Sequence, residues 1–484
     1  MPPDPIFRPL QVPDRFESIS GKDRSVLGMF ISPVEESLSA LKQLFENAAI
    51  SRRGQLLVVE SRPGVGKTTF LNTANLFIDD LVVRSISSTI PADAVLGEIQ
   101  SGATQGRALI VLEGRESIDH VSDEDLGQLL HQLNQRLRHS DYADVVVAWP
   151  CNSSRLAERV VKQAEAIGGT ALIDPEIGRH SFNGPNRKEF RHIVSSTIGT
   201  LNDGADLLDL GIDEFTFTDM LNKCTSIGDL FTKIARDVSK KRSALIALKN
   251  VERHRVWVVV AAGSQPEKEI GGLTRGGNGS CDIQRLCNST QANIVSEVKE
   301  YPDKLGLLCG YFDARITFLP VVTLLATVRS FADDSFKQRL IGAGIRVDIA
   351  DPSDAVRRLK DSQLATLLRG EQIGLLTSGQ PVGTDSKKAF ENLSLLASQN
   401  DRPLNRAIAE GLKTAGLIDG YEVEQDFGSG LTRRTDIVVT RDKEKIRLEM
   451  MWRKITSKAD MANYMLTKLY NYGRAIGYLS RGGN

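Results

Sequence analysis

A short glycine-rich segment constrains this chain more than any other feature. Residues 61–69 read SRPGVGKTT, between the apolar run QLLVVE at 55–60 and the helix-like stretch FLNTANLF at 70–77. We therefore expect a strand, a tight loop and a helix in succession. The backbone of such a loop can curl around an anion and point N–H groups at it, which side chains at Gly64 or Gly66 would obstruct.

This segment matches the phosphate-binding P-loop motif GxxxxGK[ST], apart from Ser61 at the first glycine position. The match predicts ATP and Mg²⁺ as cofactors. Lys67 would reach the β- and γ-phosphates from a solvent-accessible loop, and Thr68 would ligate the magnesium. The full set of predicted nucleotide-binding residues is Pro63, Gly64, Val65, Gly66, Lys67, Thr68 and Thr69. The alternative is a chance turn rich in Gly, Lys and Thr.

Composition bounds the class of protein. With 484 residues, 41% of them hydrophobic and 25% charged, the chain is expected to form about three domains of a soluble globular protein. Its longest apolar runs are too short for a bilayer span, and the N-terminus has no export signal. Five scattered cysteines favour a reducing compartment, so we expect a cytoplasmic protein without a membrane anchor.

A second apolar run carries a candidate magnesium ligand. Residues 107–113, RALIVLE, predict a buried strand that ends in Glu113. An acid here could complete the magnesium site, in the position of a Walker B carboxylate. Walker B strands usually end in Asp followed by Glu, whereas Gly114 follows here and Glu116 comes later. No base for the attacking water is evident from the motif.

A third predicted strand, 144–149, runs into Asn152. The order of elements over 50–200 predicts a parallel sheet with covering helices and resembles the AAA+ and STAND ATPases. The resemblance implies a helical lid, a γ-phosphate sensor at Asn152, and an arginine finger among Arg155, Arg159, Arg179 and Arg187. Asn152 could equally cap the following helix, as could Ser153 or Ser154.

The C-terminal region shows a different order of elements. A predicted helix at 405–412 precedes predicted strands at 421–427, 435–440 and 445–452. This order resembles the PD-(D/E)xK nuclease core. The resemblance implies that Asp436 and Glu449 hold Mg²⁺ and act in catalysis, and that Glu410 is the acid of the preceding helix. If the domain is instead an unrelated α+β fold, Asp436 is simply a turn acid before a strand.

Met451 occupies the place of the water-orienting lysine in that motif. Either a lysine from elsewhere compensates or the domain binds DNA without cutting it. Because the water-orienting lysine is absent from its usual place, we expect DNA binding with weak or no cleavage. The candidates are Lys468 on the next predicted helix, with Tyr472 one turn later, and Arg453 or Lys454 at the end of the strand. Residues 431–484 contain twelve basic and five acidic residues, a net charge of +7, which points to a polyanionic partner or to solvated helix faces.

Together these patterns predict a mainly α/β chain with a P-loop parallel sheet, a helical lid and middle region, and a smaller α/β C-terminal domain. An ATPase joined to a nuclease-like domain resembles prokaryotic restriction and antiphage defence proteins. We therefore expect an ATP-hydrolysing defence component that binds DNA, with partner subunits or a homo-oligomer as options. The alternative is a nucleotide-gated assembly protein whose C-terminal domain docks a protein partner. The predicted divisions are 1–50 as an N-terminal extension, 51–200 as the ATPase core, 201–341 as a mostly helical middle domain, 342–400 as a linker or small module, and 401–484 as the nuclease-like domain.

Overall fold

The computed structural model divides the chain into two compact units. The N-terminal unit comprises Val12–Thr200 and Thr218–Arg236, and the C-terminal unit comprises Met1–Gln11, Leu201–Phe217 and Asp237–Asn484. The structure describes residues 10–13, 34–89, 106–117, 123–247, 254–263, 266–275, 277–292, 302–347, 352–371, 383–426 and 434–479, together with 95, 97, 99 and 294. Most of the predicted N-terminal extension, including 1–9 and 14–33, lies outside these ranges.

Five parallel strands form the sheet of the N-terminal unit, in the order β2-β3-β4-β1-β5. The central strands have apolar interiors because both faces of the sheet are covered. The predicted α/β class and parallel sheet are thereby confirmed. The strands are β1 (Gln55–Glu60), β2 (Val82–Ile86), β3 (Ala108–Leu112), β4 (Val145–Cys151) and β5 (Arg179–Ser181).

Helices cover this sheet, and the apolar sides of those between residues 35 and 168 complete two cores on its opposite faces. Because the strands are parallel, the carboxyl ends of β1, β3 and β4 lie along one edge, where loops carry the polar side chains. The helices are α1 (Glu35–Ser51), α2 (Lys67–Thr73), α3 (Asp123–Leu137), α4 (Ser154–Gly168), α5 (Phe190–Leu201), α6 (Glu214–Lys223) and α7 (Ile227–Ala247), the last three of which continue across a unit boundary in the sequence.

A seven-stranded mixed sheet forms the centre of the C-terminal unit, in the order β10-β11-β12-β6-β9-β8-β7. Strands β10, β11 and β12 form an antiparallel meander, whereas β6 pairs in parallel with both β12 and β9. The strands are β6 (His254–Ala262), β7 (Thr274–Arg275), β8 (Ser280–Cys281), β9 (Arg315–Phe318), β10 (Gly420–Asp426), β11 (Arg434–Arg441) and β12 (Glu444–Arg453).

The longest pairing in this sheet joins segments that are distant in the sequence. Strands β12 and β6 are in register from Lys445 opposite His254 to Arg453 opposite Ala262. The apolar sequence of β6 sends alternate side chains into two different cores, so this strand needs cover on both faces and a neighbour on both edges. The predicted middle region at 201–341 therefore shares one sheet with the predicted nuclease-like region at 401–484.

Helices cover both faces of this sheet. One core contains Trp257 and Val259 of β6, and the other contains Val256 and Val258. The predicted linker at 342–400 contributes buried leucine and phenylalanine side chains to the first core. The helices are α8 (Glu267–Gly271), α9 (Ile283–Ser289), α10 (Pro302–Tyr311), α11 (Val321–Phe331), α12 (Asp334–Gly342), α13 (Pro352–Lys360), α14 (Gln363–Leu368), α15 (Thr384–Gln399), α16 (Arg402–Thr414) and α17 (Lys458–Ala475).

None of the helices in the described ranges combines the length and the apolar character needed to cross a bilayer.

A pair of glycines on α10 gives a test of this packing. A Cβ added at Gly306 would lie 1.8 Å from the backbone oxygen of Leu208, whereas one added at Gly310 would meet no atom within 4 Å. We expect Gly306→Ala to destabilise the chain by about 2 kcal/mol, because backbone would have to move. Gly310→Ala should be neutral or slightly stabilising. Thermal denaturation of the two variants would compare them, and equal midpoints would contradict this packing.

Candidate functional sites

The predicted P-loop lies directly after β1, the strand between β4 and β5. Gly64 and Gly66 adopt φ angles of 78° and 103°, a region that side chains disfavour. The carbonyl of Gly66 then accepts the hydrogen bond from Phe70 N at 2.9 Å that begins α2. The predicted strand, loop and helix therefore follow one another as the sequence indicated.

Two other glycine-containing segments press against this loop. The N–H of Gly228, in the first turn of α7, donates to the carbonyl oxygen of Gly64 at 2.9 Å. A Cβ at Gly228 would lie 2.6 Å from that same oxygen, and a Cβ at Gly184 would lie 2.6 Å from a methyl of Val65. The loop is thus held in shape by close backbone contacts that only glycine permits.

Lys67 is buried, with 5% of its surface exposed, so the expectation that it lies on a solvent-accessible loop is wrong. Its ammonium group donates to the carbonyl oxygen of Cys151 at 2.9 Å and to Oδ1 of Asn152 at 2.8 Å. Burial lowers the pKa of Lys67, while the negative charge of Glu116 acts in the opposite direction. Lys67 is the first residue of α2, and its side chain reaches the end of β4.

Asn152 does not cap the helix that follows it. Ser153 is the N-cap of α4, and its hydroxyl accepts from Leu156 N at 3.3 Å. The amide of Asn152 instead accepts from Lys67 and donates through Nδ2 to Ser117 Oγ at 3.2 Å. This arrangement favours the sensor interpretation over the capping one, although the sensor role itself stays a prediction.

Glu113 follows the last residue of β3, and its side chain contacts β2. Its Oε1 accepts from Asn72 Nδ2 at 2.5 Å and from Ser85 Oγ at 2.9 Å. Asn72 lies one turn after Thr68 on α2, so Glu113 is held against the helix that carries the predicted magnesium ligand. Thr68 and Thr69 occupy the first turn of α2 and are half-buried.

The arginines proposed as fingers have different surroundings. Arg179 donates from Nε and Nη2 to the same oxygen, Oε2 of Glu60, at 3.1 and 2.7 Å. Arg159 donates to Asp123 at 2.5 Å, and Arg187 donates to the carbonyl oxygen of Asn222 at 3.1 Å. Arg155 is exposed at the start of α4. These contacts do not choose a finger among the four.

The C-terminal unit contains a second cluster of ionisable side chains, centred on Glu449 in the middle of β12. Glu449 is 1% exposed, and each of its carboxylate oxygens accepts a hydrogen bond from α17, one from Lys468 and one from Tyr472. The two donors are four residues apart and therefore share one face of the helix. A capping box at Ser457 and Asp460 fixes the start of α17.

A chain of buried hydrogen bonds continues from Tyr472 into the sheet. The hydroxyls of Tyr472 and Thr435 are 2.9 Å apart, and Arg447 donates to Thr435 Oγ1 at 2.5 Å. Arg447 and Thr435 are 3% and 1% exposed. Arg447 lies two residues before Glu449 on β12, on the same face, so its charge is placed near the carboxylate.

Asp436 lies beside this cluster. Its Oδ2 accepts from Met450 N at 2.7 Å. Burial and then the negative charge of Glu449 raise the pKa of Asp436 well above its ordinary value, which Lys468 only partly opposes. The two carboxyl groups thus lie beside one ammonium group, with the Arg447 guanidinium on the same face of β12.

Sequence reasoning missed Asp401, which precedes α16. Its charge acts on Asp436, and burial raises the pKa of Asp401 itself. Glu410, the acid implied by the nuclease resemblance, instead accepts from the Tyr421 hydroxyl at 2.7 Å. An acid before a helix looks like an ordinary N-terminal residue in the sequence, so no signal distinguished Asp401.

Met451 and the basic residues considered as replacements for the motif lysine have different surroundings. Met451 is 1% exposed and belongs to an apolar cluster with Met461 and Met465 of α17. Lys454 pairs with Glu391 at 3.1 Å on the surface, and Arg453 is exposed and donates to the carbonyl of Trp452. Of the three basic residues considered, Lys468 is therefore the one at Glu449.

Several basic residues of the +7 segment have partners in the described ranges. Arg434 lies 3.4 Å from Asp426, and the Arg474 guanidinium stacks over the ring of Tyr470 at 5.6 Å. Together with the inward-facing Arg447 and Lys468, these contacts reduce the number of charges free to meet a polyanion.

The described residues also contain no group of three or more His, Cys, Asp or Glu side chains arranged to hold a metal ion.

Comparison with known proteins gives no family for this chain. No protein-family model matches it, and a search of curated proteins finds no match.

The ion pair at Glu449 gives a stability test. Lys468→Met leaves Glu449 buried without its ammonium partner and should destabilise the chain by about 3 kcal/mol. The double variant Glu449→Gln, Lys468→Met removes both charges and should recover most of that loss. Lys454→Met, at an exposed pair, should cost less than about 1 kcal/mol. Thermal denaturation in EDTA would rank the variants, and a double variant no better than Lys468→Met would contradict the pairing.

Proposed function

We propose that this chain binds and hydrolyses ATP through the loop at 61–69, in the manner of the AAA+ and STAND ATPases that its sequence resembles. The observation that carries this proposal is the burial of Lys67 at the edge of a parallel sheet, where its two hydrogen-bond acceptors are neutral oxygens and no carboxylate of the described residues forms an ion pair with it. Such a cation gains stability when it meets phosphate oxygens. The positive φ angles of Gly64 and Gly66 leave the loop backbone open to the same anion.

The magnesium that accompanies ATP fits the neighbouring residues. The Thr68 hydroxyl and the Glu113 carboxylate are oxygen donors of the kind that Mg²⁺ prefers, and both belong to or contact α2. When bound, the ion neutralises charge on the phosphates. Glu113, held by Asn72 and Ser85, would keep its carboxylate fixed while the phosphates bind.

For the C-terminal unit, we propose that it engages DNA and cleaves it in a reaction that depends on a divalent metal. Because Met451 stands at the lysine position of the motif, the sequence predicts DNA binding with little cleavage. Lys468, however, lies beside Glu449 and offers the ammonium group that the motif lacks. The Asp436 and Glu449 carboxyl groups lie beside each other, and a bound divalent cation would hold both in their ionised forms. Lys468 would then orient the attacking water.

An ATPase and a nuclease-like unit in one chain support a role in prokaryotic restriction or antiphage defence, in the cytoplasm, with DNA as a partner. This step rests on analogy between domain combinations. The competing proposal is a nucleotide-gated assembly protein that docks a protein partner. Arginines of residues 431–484 that already have partners favour this second proposal, because they leave fewer positive charges to bind DNA.

Replacing Lys67 tests the ATPase proposal. We expect Lys67→Met to weaken ATP binding by about 10- to 100-fold, because hydrogen bonds to charged groups contribute roughly 1.5 to 3 kcal/mol. Lys162→Met, on the exposed face of α4, is the matched control and should bind as the wild type does. Fluorescent ATP titration would measure both. Equal affinities in the two variants would rule out the phosphate-binding role of Lys67.

Replacing Asp436 and Lys468 tests the nuclease proposal. With Mg²⁺, the wild-type chain should cleave DNA, and Asp436→Asn and Lys468→Met should each reduce the rate by about 100-fold or more. Lys454→Met should leave it unchanged. DNA binding by all four proteins should weaken steeply as salt rises. DNA binding without cleavage would restore the prediction made from Met451, and no DNA affinity at low salt would favour the protein-docking alternative.

A further inference from the structure

The segment after β3 turns back toward the P-loop lysine. Gly114, with a φ angle of 73°, reverses the chain after Glu113, and its N–H donates to Oε1 of Glu116 at 3.2 Å. A Cβ at Gly114 would lie 2.4 Å from Ser88 Oγ, so the turn requires glycine. The indole N–H of Trp149 donates to the carbonyl of Arg115 at 3.4 Å. The segment 113–117 is therefore anchored rather than loose.

Asn152 connects this segment to Lys67. Its backbone N–H donates to the carbonyl oxygen of Glu116 at 3.0 Å, and its Nδ2 donates to Ser117. Its Oδ1 accepts from Lys67 Nζ at 2.8 Å. One residue thus contacts both the phosphate-binding lysine and the segment that carries Glu116. The negative charge of Glu116 also acts on Lys67 and on the thiol of Cys151.

Glu113 and Glu116 contact residues on opposite sides of β3, because of the strand order. Strand β3 lies between β2 and β4. The Glu113 carboxylate accepts from Ser85 of β2, on one side, whereas the Glu116 backbone is bonded to Asn152, at the end of β4 on the other side. Strand β4 is also the neighbour of β1, which leads into the P-loop. Glu116 is therefore the acid on the side of Lys67.

A third acid at this edge is already engaged. Glu60, the last residue of β1, accepts from the Ser154 hydroxyl through one carboxylate oxygen and from the Arg179 guanidinium through the other. A carboxylate in an ion pair with an arginine is a poor proton acceptor, because the pair stabilises its ionised form. The side chain of Glu116, by contrast, accepts one backbone N–H on Oε1.

We propose that Glu116 is the general base of the ATPase, separate from Glu113, which serves the magnesium ion. This inference rests on the proposed ATPase function and supplies the base that the sequence motif did not reveal. The Glu116 carboxylate takes one proton from a water molecule as the water oxygen bonds to the γ-phosphorus. The bond from that phosphorus to the β,γ-bridging oxygen breaks, ADP leaves with the bonding electrons, and the proton passes from Glu116 to the phosphate or to solvent.

The test compares isosteric variants of the full chain. In Glu116→Gln the amide oxygen can still accept from Gly114, and the contact to Asn152 uses backbone, so the site should keep its shape. We expect ATP affinity within about threefold of wild type and a turnover number reduced by about 100- to 10,000-fold, the range for loss of a general base. Glu165→Gln, exposed on α4, is the matched control and should retain full turnover.

Two measurements separate the inference from the function on which it rests. Fluorescent ATP titration reports binding, and phosphate release reports turnover, for the wild type and for both variants. A wild-type chain that does not bind ATP refutes the proposed function itself. Wild-type turnover in Glu116→Gln overturns the assignment while leaving the P-loop proposal intact. The assignment is also overturned if Glu116→Gln loses ATP binding, since its role is then structural, or if the wild type binds ATP without hydrolysing it.

Discussion

The parallel pairing of β12 with β6 determines the chemistry of the C-terminal unit. It makes β12 an interior strand of a sheet that has a core on each side, so both of its faces are buried. Arg447 and Glu449 point from one of those faces toward α17, and both are buried. Buried charges need partners, and Lys468, Tyr472 and Thr435 supply them. The ionisable cluster is therefore a consequence of where the sheet places β12.

Strand order has the corresponding effect in the N-terminal unit. Because β4 lies between β1 and β3, the residue that follows β4 can reach both the P-loop and the segment beyond β3. Asn152 occupies that place and bonds to both. A different order would separate Lys67 from Glu116 by another strand width of about 5 Å. The relation between the two residues is a property of the topology rather than of local sequence.

Local features could be predicted from the sequence, and distant ones could not. The P-loop strand spans Gln55–Glu60 as the apolar run indicates, because both its ends are marked by polar or glycine-rich residues. The exposure of Lys67 was wrongly predicted, since burial depends on how α2 packs against β4. Lys468 was one of several candidates because only the packing of α17 on β12 selects it. The pairing of β6 with β12 joins segments far apart in the chain, and no local pattern encodes it.

The charge states of the two clusters differ in a way that bears on their ligands. In the N-terminal unit, Lys67 is buried against neutral acceptors, and burial lowers its pKa, so an anion would relieve the cost of its charge. In the C-terminal unit, burial and the negative charge of Glu449 raise the pKa of Asp436, and Lys468 only partly opposes them, so a bound cation would favour its ionised form. Perturbed groups of this kind often mark ligand sites. The phosphate-bearing ligand proposed for the first cluster and the metal ion proposed for the second would each offset the charge that burial disfavours there.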